Sequence, residues 1–334
     1  MASVKDVARL AGVSVATVSR VLNDSAAVSP GARARVLAAV DELGYRPNAV
    51  ARSLRTDATR TIGLVIGDIL NPFFTELARA VEDEARTLGL SVVIGNADER
   101  PERQDHYVRT LLEQRVDGLL LCPTAEITPL VRDTVAAGLP LVFLDRTLPG
   151  LEVPAVRADG AAAIDALVAH LRGLGHRRIA FVSGPALLST GRERTDAFIT
   201  ALVRHGLEVR PEYLEAGDFQ AASGRAGAAR LLDLPEPPEV IFAGDNLMAL
   251  GALDEIRARG LRIPGDVGLA SYDDVPWFTH LDPPITAIGQ PVQDLGRRAV
   301  RALAERVAGR PVAPVTLQAR LLVRRSCGET EGSG

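Results

Sequence analysis

The chain has 334 residues, 47% of them hydrophobic and 24% charged, with a formal net charge of −4. That length exceeds one ordinary core and points to two or three domains, and no apolar run reaches the roughly 18 residues that a membrane span requires. Asp6 and Arg9 interrupt any signal-peptide core, and the two cysteines have neither zinc nor CxxC spacing.

The chain is therefore expected to work in the cytoplasm, with Cys122 as a small buried hydrophobe and Cys327 as a tail thiol. Its charge is uneven. Residues 1–60 carry nine Lys and Arg against five Asp and Glu, net +4, which leaves −8 for the rest. A basic head on an acidic body is the asymmetry expected when one end meets a polyanion.

Val4 to Ala11 is a short amphipathic stretch with Val4, Val7, Ala8 and Ala11 on one side. Gly12-Val13-Ser14 separates it from Val15 to Asn23, where Val18, Val21 and Leu22 recur at three- and four-residue spacing and leave Val15, Ala16, Thr17, Ser19 and Arg20 off the apolar face. Ser14 can cap this second helix, whose first amides can also receive a phosphate. Ser29-Pro30 opens a third helix, Leu37, Val40 and Leu43 give its stripe, and Gly44 supplies a left-handed stop. Helix, glycine turn, helix is the helix-turn-helix pattern, whose second helix reads bases. Periodicity alone fits two short core helices equally well.

Pro47 stops the third helix, Asn48 can cap a new one, and Ala49 to Arg55 could make two turns. A helix that short is marginal unless something holds it. From Thr61 onward, apolar runs alternate with amphipathic stretches. Candidate strands are Ile62–Ile66, Ser91–Ile94, Gly118–Leu121, Leu141–Leu144, Ile179–Val182, Val240–Phe242, Val267–Ala270 and Thr316–Val323; candidate helices include Pro72–Leu88, Pro101–Gln114 and Ala161–Leu174. The alternation predicts parallel sheets with helices on both faces.

Open parallel sheets bind ligands beyond the carboxyl ends of their strands. There the sequence places Asp68 with Asn71 to Phe74, Asp145-Arg146, Arg192-Glu193-Arg194, Asp218-Phe219, Asp245-Asn246 and Tyr272-Asp273-Asp274. Each alone reads as a solvated loop. Jointly they favour a site whose carboxylate, guanidinium and amide groups grip adjacent hydroxyls while Phe73 or Phe219 covers a ring face, which suits a sugar; a nucleoside could use the same grips. No P-loop, GxGxxG, GxSxG or HExxH is present and the five histidines are scattered, so neither catalysis, nor a cofactor, nor a metal is expected.

Val4-Lys5-Asp6-Val7-Ala8, Ala11-Gly12-Val13-Ser14, Ala16-Thr17-Val18-Ser19-Arg20-Val21-Leu22-Asn23, Gly44-Tyr45-Arg46-Pro47-Asn48 and Ala51-Arg52-Ser53-Leu54 closely resemble the headpiece of LacI/GalR-type bacterial transcription regulators, and weaker similarity continues to about Ser326. The resemblance implies a small all-α helix-turn-helix headpiece (1–46), a hinge helix and linker (47–60), an α/β two-lobed periplasmic-binding-protein-like domain (61–326) and a disordered tail (327–334). It places the amino-terminal lobe at about 61–159 and 287–320, the carboxy-terminal lobe at about 160–286 and 321–326, and the crossings near Asp159, Thr286 and Arg320.

By the same resemblance, Ser14, Val15, Ala16, Thr17, Ser19, Arg20, Asn23, Ser29, Tyr45, Asn48, Ala51, Leu54 and Arg55 meet DNA. Arg20 would contact guanine or phosphate, Val15 and Ala16 a thymine methyl, and Leu54 would wedge the minor groove. Phe73, Phe74, Asp145, Arg146, Arg194, Phe219, Asn246, Asp273 and Gln290 would line the effector pocket. The implied protein is a homodimeric regulator on a near-palindromic operator, controlled by a small effector such as a sugar. A solute receptor of the periplasmic type is the rival, and it would need an export signal and no basic headpiece.

Overall fold

A computed structural model describes residues 2–22, 28–45 and 58–328. It divides into two compact units, residues 1–59 and 60–334.

The smaller unit is built from local signals. Helix α1 (Val4–Ala11) is opened by a reciprocal cap in which Ser3 Oγ accepts from the Asp6 amide and the Asp6 carboxylate accepts from the Ser3 amide. Gly12 ends it at φ 61°, a left-handed conformation costly for a residue with a Cβ. Ser14 Oγ then accepts from the Thr17 amide at 3.1 Å and opens α2 (Val15–Leu22). Ser29 caps α3 (Pro30–Glu42), with proline at its first position. Val7, Val18 and Val36 are fully buried among Ala8, Ala11, Val21 and Ala39, and Arg35 Nε donates to the Ala11 carbonyl, joining α3 to the end of α1. The third helix corrects one sequence expectation. Leu37 is 51% exposed and Val36, one residue earlier, fills the core, because the turning of α3 against α1 and α2 puts Ala32, Val36 and Ala39 inward. The expected hinge helix, Ala49 to Arg55, lies outside the described residues.

The larger unit has two lobes, each a six-stranded sheet. The first contains β1 (Thr61–Ile66), β2 (Ser91–Asn96), β3 (Gly118–Leu121), β4 (Leu141–Leu144), β5 (Ala155–Asp159) and β11 (Val315–Gln318) in the order β11-β5-β4-β3-β1-β2, all parallel. The second contains β6 (Ile179–Ser183), β7 (Leu214–Ala216), β8 (Val240–Ala243), β9 (Gly268–Tyr272), β10 (Thr286–Gly289) and β12 (Arg320–Leu322) in the order β12-β10-β9-β8-β6-β7, parallel except for β12. Strands such as Gly118–Leu121 and Leu141–Leu144 are buried along their whole length, as expected of parallel strands covered on both faces.

In chain order the covering helices are α4 (Pro72–Thr87), α5 (Pro101–Glu113), α6 (Pro129–Ala136), α7 (Ala161–Gly173), α8 (Ser189–Arg204), α9 (Ala221–Leu232), α10 (Asn246–Ala258) and α11 (Val292–Val307). Helix α11 returns to the first lobe, where Leu295, Ala299, Val300 and Leu303 join the core of Leu64, Leu77 and Val81.

The sequence reading does not include β5, β7 or β10 among its strands, and three further details differ from it. The single strand expected over Thr316–Val323 is two strands in different sheets, separated by one residue, Ala319. The second crossing falls after Gly289 instead of near Thr286, since β10 pairs with β9 of the second lobe. Finally, Cys327 is no tail thiol. It is fully buried beside Leu171 and Ala319, its carbonyl is bonded to His176 Nε2 at 2.8 Å, and burial pushes its thiol up to about 12. Apolar contacts at Cys327 and the Ser326 hydroxyl donating to the Leu269 carbonyl at 2.6 Å hold this segment to the sheet.

Candidate functional sites: an interlobe cleft and an exposed helix face

The cleft lies beyond the carboxyl ends of the strands of both sheets. The turn after β4 puts Asp145 at φ 69° and Arg146 beside it; the turn after β9 puts Asp273 at φ 65°; Phe219 sits at φ 64°. Glu99, after β2, is at φ 54°. Left-handed non-glycine residues are uncommon, and four of them around one cleft mark a place where backbone strain aims side chains inward. The Phe219 ring lies so close to Gly184 that any Cβ there would overlap it.

Phe73, Phe74, Asp145, Arg146, Arg194, Phe219 and Asp273 converge on one cavity, joined by Asp68, Asn71, Glu99, Thr190, Gln220 and Asp245. Arg146 is 3% exposed and pairs with both oxygens of Glu99 at 2.6 and 2.7 Å. Its guanidinium carbon lies 5.6 Å from the Phe74 ring and 5.9 Å from the Phe219 ring. Arg194 stacks on Tyr272 at 3.7 Å, donates to the Gly244 carbonyl at 2.7 Å and stands 4.0 Å from Asp273. Two guanidinium planes held between aromatic faces and acids are fixed in orientation.

Asn246 and Gln290 stand behind this wall. Gln290 Nε2 donates to Asp273 Oδ1 at 2.6 Å. Asn246 Nδ2 donates at 2.8 Å to Asn71 Oδ1, which also accepts from the Phe73 amide, while Asn71 Nδ2 donates to Asp245 Oδ2 at 3.3 Å. With Gln220 donating to Asp68, and the Thr147 amide to Ser189 Oγ, these bonds tie one lobe to the other. The space left between the lobes is about 20 Å³, room for a water or two and no sugar ring. The lobes must part to admit a ligand.

Five carboxylates line this space against two guanidiniums. Burial raises Asp145 to about 6, its two arginines opposing and Asp273 and Glu99 adding to the rise. Burial likewise raises Asp245 to about 7 and lifts Asp273. Among the described residues six buried side-chain atoms lack a hydrogen-bond partner, and three of them, Arg146 Nε, Thr190 Oγ and Asn246 Oδ1, gather here. Buried polar groups are ordinarily satisfied, so this concentration marks a site arranged for a hydrogen-bonding occupant.

Sequence reasoning missed Glu99, Thr190 and Gln220 as pocket residues. Glu99 follows β2 and obeyed the strand-end rule that exposed the others; Thr190 and Gln220 carry no local signal. Asp274, by contrast, turns away and pairs with Arg324 at 2.7 Å through both oxygens.

In the smaller unit, α2 presents Ser14, Val15, Ala16 and Arg20 to solvent, with Thr17 and Ser19 half-buried. Val15, a β-branched apolar residue, is 42% exposed. Ser29 is exposed and engaged as a cap; Tyr45 is half-buried against the core. Asn23, Asn48, Ala51, Leu54 and Arg55 lie outside the described residues.

A three-helix domain that exposes its second helix, with a two-lobed domain whose polar cleft sits at the strand ends, defines a class of ligand-responsive DNA-binding proteins. Residues 3–48 match the bacterial regulatory proteins of the lacI family, and residues 168–327 match a periplasmic binding protein-like domain. The HTH-type transcriptional repressor CytR of Escherichia coli (strain K12) is 34% identical over 311 residues, covering 93% of this chain and 91% of that protein. The HTH-type transcriptional repressor PurR of Aliivibrio fischeri (strain MJ11) is 36% identical over 313 residues, covering 92% of each. Among solved structures, the lac repressor dimer bound to operator and the anti-inducer ONPF superposes with a TM-score of 0.86 at 31% identity, covering 98% of this chain and 99% of that one. A complex of the transcriptional regulator CelR with cellobiose gives 0.73 at 34% identity, covering 98% and 100%. The chain belongs to the LacI family: it is a helix-turn-helix transcriptional repressor with an effector-binding domain.

Proposed function

We propose that the protein is a cytoplasmic homodimer that represses from a near-palindromic operator, and that a sugar or sugar derivative held between its lobes sets its affinity for that operator. The observation that carries the ligand reading is the cleft itself: two oriented guanidiniums, an excess of carboxylate acceptors, three phenylalanine rings and three buried polar atoms that make no hydrogen bond. Hydroxyl groups are donors that carboxylates can accept and acceptors that guanidiniums can fill, and an apolar ring face suits Phe73 and Phe219. The CelR relative is solved with cellobiose and the lac repressor relative as a dimer on operator, which supports both halves of the proposal.

Val15, Ala16 and Arg20 on the exposed face of α2 read the major groove, with Ser14, Thr17, Ser19, Ser29 and Tyr45 around them and Asn23, Asn48, Ala51, Leu54 and Arg55 completing the contact. Val15 and Ala16 can meet only a thymine methyl, so part of the specificity falls to the step wedged by Leu54. Ligand and DNA occupy different sites and are linked through the lobes. Parting or drawing together of the lobes changes the spacing of the paired hinges, with a coupling of about 1–3 kcal/mol that is the same in both directions.

A thermal-shift screen of sugars and nucleosides, followed by operator binding with each hit at two salt concentrations, tests this. The expected result is a hit that changes operator affinity, on a background of binding that weakens steeply with salt. Operator affinity indifferent to salt removes the role given to the basic headpiece, and hits that leave it unchanged remove the coupling.

A further inference from the structure

Against the side of the cleft lies a second and much larger space, a groove of about 700 Å³ between α7 and α8. It shares Asp145, Thr190 and Arg194 with the interlobe cavity, so the two spaces adjoin at those three side chains. Thr190 is 9% exposed and its hydroxyl has no partner. Its lining includes the apolar side chains Ala158, Ala161, Ile164, Ala197 and Ala201 and the Tyr272 ring. Both lobes build it: Arg157 on β5 reaches Glu193 on α8 at 2.7 Å across it. Its volume falls within the range of ordinary small-ligand sites, whereas the closed cleft does not.

We propose that this groove is a second subsite of the effector pocket: the ligand is a sugar joined to a second ring, one ring gripped by Asp145, Arg146, Arg194 and Asp273, the other lying against the alanines between α7 and α8. The inference rests on the sugar reading above and extends it. Three features define the second ring. Four alanines and Ile164 give the lining an apolar stretch, which fits the face of a sugar or a nucleobase. The unpartnered Thr190 hydroxyl stands at the junction, where a glycosidic oxygen or a ring substituent passes. The rim is acidic, since Asp145, Asp159, Asp165, Glu193 and Asp196 face Arg157, Arg194 and Arg204. Two of those arginines are already paired, Arg157 with Glu193 and Arg204 with Asp165. The groove therefore takes a neutral or donor-rich group and rejects a phosphate. An occupant would touch Arg157 and Ala158 from one lobe and α7 and α8 from the other, so filling the groove acts directly on the angle between lobes.

Isothermal titration of the full chain with matched probes tests the proposal: D-ribose against adenosine and cytidine, D-glucose against cellobiose, and D-ribose 5-phosphate as the anion. In one pair the two-ring probe binds about tenfold or more tighter than its one-ring partner, and the phosphate binds more weakly than D-ribose. Ala197→Phe, at a half-buried lining position, and Thr200→Phe, at an exposed one, abolish the two-ring advantage while leaving one-ring affinity, melting temperature and operator binding unchanged. The nucleosides and cellobiose separate a base from a second sugar as the occupant. One-ring probes binding as tightly as two-ring probes, or an advantage that survives both phenylalanine substitutions, overturns the second subsite and leaves the sugar reading standing. Binding of none of these probes overturns the sugar reading and the subsite with it.

Discussion

The headpiece and the cleft domain solve opposite problems with their polar residues. In the headpiece the core is small, apolar and made of neighbours in sequence: Val7, Val18 and Val36 on three helices within 36 residues, with Ser3, Ser14 and Ser29 each closing a helix end. The face proposed to read DNA is simply what remains outside. In the cleft domain the groups proposed to hold the ligand are themselves buried: Asp145, Arg146, Arg194 and Asp273 are all less than a tenth exposed and come from three separate places, the turn after β4, the first turns of α8 and the turn after β9. A surface that reads DNA can be left over from folding, whereas a buried charged site must be held in place by other charges. The first should fail by unfolding, the second by losing a partner.

The largest effect sharpens that contrast. Val18→Asp puts a charge into a core with few other apolar side chains, where it cannot be satisfied. The headpiece should unfold and operator binding should vanish, while the melting transition of the cleft domain is retained in calorimetry. A single lowered transition for the whole chain would show that the two units do not fold separately.

Next comes Arg194→Ala, which leaves Asp273 and Asp145 buried without one of their cations and removes the guanidinium stacked on Tyr272. Breaking a buried pair of this kind costs about 3–5 kcal/mol. Chemical denaturation should show that loss in the cleft domain, and the ligand response should disappear with operator binding by the free protein intact. Asp273→Ala should act in the same direction on the response, since it also releases Gln290; loss of operator binding together with the response would point to misfolding.

A smaller pair of changes tests the headpiece alone. Val36→Ala removes two buried methyl groups and should cost about 1.5 kcal/mol or more. Leu37→Ala, one residue further on and half exposed, should stay within about 0.5 kcal/mol. Equal losses at the two positions would restore Leu37 to the core.

The finest test is of pH. Burial raises Asp145, Asp245 and Asp273 in the folded protein. A raised carboxyl means the folded state holds more protons than the unfolded one, so this contribution is fully present below the unfolded value near 4. It is lost as pH rises through about 6 and 7. Stability of the closed domain should fall from pH 5 to pH 8. Asp245→Asn keeps an oxygen to cap α10, where Asp245 Oδ1 now accepts from the Met248 amide, and should flatten the slope by at most about 1.4 kcal/mol per pH unit. An unchanged slope would place the charge strain elsewhere in the cleft.

Much of this molecule is legible in the chain because its signals are local. Gly12 and Ser14 announce the turn before α2, and apolar quartets such as Leu141–Leu144 announce covered parallel strands. Polar pairs at strand ends, Asp145-Arg146 and Asp273 among them, announce the cleft. Where local patterns mislead, a distant contact is responsible. Thr316–Val323 alternates like one strand, and only the separate sheets waiting on either side of Ala319 divide it. Cys327 reads as tail until the Leu269 carbonyl and the core around Leu171 claim it.

What the sequence determined by itself is the three headpiece helices, the alternation of strands with helices, the family and most of the residues that face the cleft, because capping, period and strand-end position are properties of neighbouring residues. The tertiary structure alone decided that Glu99 neutralises Arg146, that Asn71 bridges to Asp245 and Asn246, and that a wide groove adjoins a nearly shut cavity. Those pairings join residues 47 to 175 positions apart, and the free energy that selects them comes from desolvating charges which can be satisfied only by whatever the fold brings beside them.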